Sequence, residues 1–160
     1  MVKSFSDHRK LYDEKIEEIE KMSNSFVLIG FQENSVTKSQ VKGNRRKQAG
    51  QSQAQIAFDN EYGTKTTPAR PFMRTSFDEN IQKINDIISG EYDKIIDGES
   101  TVKRSLNLIG LFGVSIVQQK IRSIRTPPNS PTTIAIKKSS KPLIDFGQMV
   151  QSVSYKVVVP

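Results

Sequence analysis

No cysteine occurs in the 160 residues, and His8 is the single histidine. The first absence excludes disulfides, thiolate metal sites and a cysteine nucleophile. It fits a reducing compartment. The second removes the commonest general base, which in any case needs a partner within hydrogen-bond reach. His8 stands at the start of a predicted helix and reads as a surface residue. Neither H-E-x-x-H nor the phosphate-binding G-x-x-x-x-G-K is present. The carboxylates are spread along predicted helix faces. Asp93 and Asp97 lie one helical turn apart and read as solvated. Residues 1–11 are polar, so no signal peptide is expected. The most apolar stretch, residues 106–117, is too short to cross a bilayer and contains Gly110, Gly113 and Ser115. The expectation is a protein without catalytic residues, metal, cofactor or membrane contact.

Apolar residues make up 35% of the chain, on the low side for its length. One domain fits that length. The low value suits either a polar monomer with loose loops or a chain partly covered in an assembly. The net charge of +7 is unevenly placed. Residues 1–33 carry five basic and seven acidic groups, and residues 34–50 carry five basic groups and no acidic one. Residues 51–100 carry five basic and nine acidic groups, and residues 101–160 carry nine basic and one acidic. Alternating blocks of opposite sign suit nucleic acid or head-to-tail docking between copies.

Residues 4–22 read as a helix capped by Ser6 or Asp7, with Leu11, Tyr12, Ile16, Ile19 and Met22 at helical spacing and the acidic residues facing water. Residues 26–31 read as a short buried strand. Residues 34–53 are polar and basic, and are expected to form a mobile loop or arm. Lys38, Lys42, Arg45, Arg46 and Lys47 are its charged residues, which suit a solvated loop or docking on the acidic surface of a neighbour before direct contact with the phosphates of DNA. No aromatic residue is interleaved among them, so base stacking is not indicated. Residues 53–62 read as a helix with Ala54, Ala57 and Phe58 on one face and Gly63 as a left-handed cap.

Pro68 and Pro71 stiffen the next loop, and a long helix is expected from Pro71 through Ile88, kinked or ended at Gly90 and extended to Ile96. Gly98, Glu99 and Ser100 break it, and Ser100 or Thr101 caps a second long helix running to about Ile124. Gly110 and Gly113 would be tolerated there where another helix packs closely. Lys120, Arg122, Arg125, Lys137, Lys138 and Lys141 form a second basic cluster, half of which suits a helix C-terminus. Residues 126–131 read as an extended connector, 132–138 as one or two helical turns, and 146–150 as a short helix capped by Asp145. Residues 153–159 alternate as a strand. The fold class is therefore α+β: a small antiparallel sheet with strands near 26–32 and 152–159, packed against several helices, two of them long. Its free edges would invite a neighbouring copy.

Asn60-Glu61-Tyr62-Gly63-Thr64, followed by Pro68-Ala69-Arg70-Pro71-Phe72-Met73-Arg74, carries the strongest motif. Further blocks are Leu108-Ile109-Gly110, Pro131-Thr132-Thr133, Lys137-Lys138, then residues 142–149, then Ser152-Val153-Ser154-Tyr155. In order and spacing these blocks resemble the tail-completion and neck proteins of tailed bacteriophages, including the virion-morphogenesis proteins of Mu-like phages. The resemblance spans residues 54–155. Phe146 and Met149 replace the family's usual threonine and leucine, and Lys138 or Ser139 stands where a glycine is usual.

The resemblance implies a single tail-completion domain over residues 1–160, without enzymatic activity. It implies a ring, a hexamer, in the virion at the head–tail junction, assembled in the host cytoplasm. Its partners would be other copies, the head connector or portal-side proteins, and tail tube or tail terminator proteins, with non-specific contact to genomic DNA. Arg70, Phe72, Arg74, Tyr62, Asp145 and Gln148 are the candidate contacts between subunits or with neck partners. The alternatives are a tail terminator capping the tube and, from a different class, a basic nucleic-acid-binding protein.

Overall fold

The structure, a computed structural model, describes residues 5–31, 52–144 and 147–160. Seven helices and two strands occur among them. They are α1 (Phe5–Ser23), β1 (Phe26–Phe31), α2 (Gln53–Tyr62), α3 (Met73–Asp78) and α4 (Ile81–Asp97). α5 (Val102–Ser123), α6 (Pro131–Lys137), α7 (Gln148–Ser152) and β2 (Val153–Val158) complete the order. β1 pairs with β2 in a two-stranded antiparallel sheet packed against helices, so the fold is α+β. The chain forms two compact units. The first comprises residues 1–28, 81–112 and 155–160, and the second residues 29–80 and 113–154.

In the first unit α1 packs on α4. The helix starts at Phe5, so Ser6 and Asp7 lie inside its first turn and are not its cap. The inward side of α1 carries Glu18 and Met22, both half-buried, with exposed Lys15 one turn before them. Glu18 accepts the Val102 backbone N–H at 2.8 Å, satisfying a free amide at the start of α5. Lys15 lies over Gly98, the positive-φ residue that ends α4. Thr101 caps α5, its hydroxyl accepting the Arg104 amide at 3.3 Å. Ser100 instead shares a hydroxyl contact with buried Ser105 at 2.9 Å. Ser105 donates to Glu91 at 2.8 Å, and Lys94 closes on the same carboxylate at 2.6 Å. These two bonds, the lysine's above all, hold the Glu91 carboxyl below the ordinary carboxylate range.

The apolar core of the second unit is deeper. Phe72, Val117 and Ile121 are almost wholly buried, with Ala57, Ile116, Leu143, Met149, Val150 and Val153 around them. Phe31 meets Phe72 edge-on at 6.0 Å between ring centroids. Ser52 caps α2 through its hydroxyl and Ser130 caps α6 in the same way.

Further elements differ from the expectation. α3 and α4 are separate helices, broken at Glu79 and Asn80, while Gly90 sits in an unbroken α4 with open space around it. Short polar side chains explain the break: Ser76 donates to the Met73 carbonyl and Asn80 to the Ser76 carbonyl, competing with the helix ladder. Gly110 and Gly113 do not admit a neighbouring helix. In the first unit a side chain at Gly110 would run into the Tyr155 ring of β2, and in the second one at Gly113 would meet Ile29 of β1. β1 is not buried throughout, because Phe26 and Leu28 are exposed. α7 begins at Gln148, with Gly147 and no side chain at its cap position. Asp145 lies outside the described residues, as do Lys38, Lys42, Arg45, Arg46 and Lys47.

Candidate functional site

The motif region from Asn60 to Arg74 folds into one tight corner of the second unit. Gly63 has φ +79°, and a side chain there would collide with the Ala69 backbone. Its ψ of 168° is extended, so the cap differs from the left-handed helical one expected. The loop closes through Thr64 N–H to the Thr67 carbonyl at 2.8 Å and Arg70 N–H to the Asn60 carbonyl at 2.6 Å. Glu61 is buried, and its carboxylate accepts the backbone N–H groups of Met73 at 2.8 Å and Arg74 at 3.1 Å. A carboxylate at a helix start satisfies free amides and complements the helix dipole.

Arg70 is also buried, at 4% exposure. Its guanidinium donates to the carbonyls of Pro127 at 2.7 Å and Pro128 at 3.0 Å, and to the Asn129 side chain at 3.4 Å. Asn129 in turn donates to the Lys141 carbonyl. Burial pulls the Arg70 pKa down from its ordinary value, yet arginine keeps its charge. Arg70 therefore pins the 126–131 connector. It grips neutral carbonyls rather than a carboxylate. Phe72 is a core residue at 1% exposure. Gln148 is half-buried, its side-chain oxygen accepting from Gln53 at 3.4 Å. Among the described residues no buried side-chain nitrogen or oxygen lacks a partner.

Of the candidate contact residues in the motif, Tyr62 and Arg74 face outward. Tyr62 is exposed and stacks on Phe58, one turn earlier on α2, at 4.7 Å between ring centroids. The Arg74 guanidinium lies 5.1 Å from the Tyr62 ring centre, a cation–π arrangement. Its Nε donates to Glu61 at 3.0 Å. The result is a small, pre-ordered patch of two rings and one cation. Phe58 shares its predicted helix face with Ala54 and Ala57, yet Ala57 is buried and Phe58 is 58% exposed. Its position one turn before Tyr62 was the signal available in the sequence.

A second outward surface was also missed. Fifteen large apolar residues are exposed among the described ones, and twelve of them belong to the first unit. That unit contributes only Ile95 and Val102 to the eleven buried apolar residues. Tyr12, Ile16 and Ile19 form a stripe on α1 at four- and three-residue steps, displaced from the row that includes half-buried Glu18 and Met22. A helix with two such rows leaves one uncovered in the single chain. Asp93 and Asp97 are exposed, and no cluster of three or more metal-binding side chains occurs among the described residues. No described helix is long and apolar enough to cross a membrane. Neither a protein-family model, nor a curated protein, nor a solved structure matches the chain.

Proposed function

We propose that this chain is a non-enzymatic structural protein of the phage neck, which closes with identical copies into a hexameric ring at the head–tail junction. The ring completes the tail and offers a circular platform to the head connector around the DNA passage. The observation that carries the assembly is the uncovered apolar surface of the first unit. Apolar patches larger than those of ordinary monomers mark interaction surfaces, and closed symmetry lets one pair of patches recur around a ring.

The phage assignment rests on the resemblance of the motif blocks, and the geometry supports treating those blocks as one set. Glu61 meets Arg74 within the first block. Gly110 of the second block lies against Tyr155 of the last. Lys138, which with Ser139 is one of the two candidates for the place of the family's usual glycine, is the one described non-glycine residue with positive φ, at 52°.

Native mass spectrometry of the purified chain, with antibody labelling of particles, tests the reading. The expected results are a closed oligomer of six copies and label at the head–tail junction. A chain that stays monomeric and never adds to heads or tails would overturn it.

A further inference from the structure

We propose that the interface between copies is heterologous: the outward stripe of α1 in one copy seats against the Phe58–Tyr62–Arg74 patch of the next. This rests on the ring reading above and names its contact.

The two surfaces match in shape class and in charge. The α1 stripe of Tyr12, Ile16 and Ile19 is flanked by Asp13, Glu17 and Glu20, each one residue further along and each exposed, with Glu17 paired to Lys21 at 2.9 Å. On α2 the rings of Phe58 and Tyr62 are more than half exposed. Arg74 lies at the Tyr62 ring and engages Glu61 through Nε, and Lys65, three residues past Tyr62, is exposed, while Asp59 beside Phe58 accepts from Gln55. Both surfaces are apolar at the centre and charged at the rim, the usual build of an interface. Aromatic residues and arginine are the groups that most often dominate binding.

Charge decides against the symmetric alternative. Packing α1 on α1 would bring two acidic borders together, and like charges face to face are unfavourable. Among the described residues the first unit carries nine basic and eleven acidic groups, while the second carries nine basic and four acidic. The net positive charge of the described residues thus belongs to the unit that bears the aromatic patch. A contact between unlike surfaces also propagates from copy to copy, whereas a symmetric one stops at two.

The absence of cysteine makes the test direct. Tyr12→Cys and Phe58→Cys are made as separate chains, mixed and oxidised. The expected product is a disulfide dimer joining position 12 of one chain to position 58 of the other, identified by peptide mass, with each variant alone remaining uncrosslinked. Phe58→Asp is expected to weaken assembly about thirtyfold or more in sedimentation, with unchanged helical circular dichroism. If wild-type chains form rings but the 12–58 link never forms and Phe58→Asp assembles normally, this contact is wrong and the ring stands. If Tyr12→Cys alone crosslinks to itself, the interface is symmetric and the proposal falls. A 12–58 link in a protein that labels no particle neck would keep the contact and remove the neck reading.

Discussion

The carboxylate of Glu61 holds Arg74 twice, through its backbone N–H at 3.1 Å and its guanidinium Nε at 3.0 Å. The first bond builds the start of α3. The second aims a cation at the Tyr62 ring. One buried acid therefore both folds the corner and shapes the surface outside it. Glu61→Ala is expected to destabilise the chain by about 2–4 kcal/mol, since buried charged hydrogen bonds and helix-start amides are lost together. Arg74→Ala removes an ion pair whose cation is exposed, together with the contact to the Tyr62 ring, but leaves Glu61 its two backbone amides, so a smaller cost of about 1 kcal/mol is expected. Urea unfolding of the two variants checks the difference.

Arg70 separates a folding role from a contact role. Arg70→Lys keeps the charge but cannot reach the carbonyls of Pro127 and Pro128 and the Asn129 side chain with one planar fork. A loss of about 2–3 kcal/mol is expected in urea unfolding, measured at concentrations where copies do not associate. A variant of normal stability with defective assembly would place Arg70 at an interface instead.

The three helical glycines should respond differently to alanine. Gly90 has open space, so Gly90→Ala is expected to stabilise by about 0.5–1 kcal/mol from helix propensity alone. At Gly110 the new methyl meets the Tyr155 ring, and overpacking of about 1–3 kcal/mol should outweigh that gain. At Gly113 it meets the end of the Ile29 side chain, which can rotate, so a near-neutral result is expected. Thermal melts rank the three.

Glu91 gives the first unit a pH dependence. Its carboxyl is held below the ordinary carboxylate range by Lys94 and then Ser105. A depressed folded-state pKa contributes stability that is fully present above the unfolded value. It is lost as pH falls through the ordinary carboxylate range and then through the folded value. Stability of the wild type should therefore drop on acidification more steeply than that of Glu91→Gln, measured as urea midpoints across that range.

Lys138 adopts a left-handed backbone, with φ 52° and its amide bonded to the Ile134 carbonyl, where it ends α6. A side chain at such a position is disfavoured by about 1 kcal/mol. Lys138→Gly is expected to raise stability by about 0.5–1 kcal/mol, read from the shift in melting temperature.

Much of the fold was legible because its signals are local. The β-branched run of residues 153–159, the apolar run of residues 26–31 and the periodicity of α5 identify their elements without tertiary help. The break between α3 and α4 was hidden because the apolar spacing continues across Glu79 and Asn80, and only the back-bonding of Ser76 and Asn80 reveals it. The partners of Arg70 lie more than fifty residues away, and a loop carbonyl leaves no mark in composition. The outward faces were harder still. Tyr12 and Phe58 look like core residues by chemistry, and only the geometry of their helices turns them outward.

The corner at Gly63 has one further consequence. Its geometry is locked from within by Glu61, Arg70 and the loop backbone, not by the rings on its outer side. Phe58 and Tyr62 can therefore be exchanged for other side chains without loosening the corner beneath them. Affinity for a neighbour becomes adjustable at the skin of the molecule, so altered docking preferences are open to protein engineering while the scaffold is left intact.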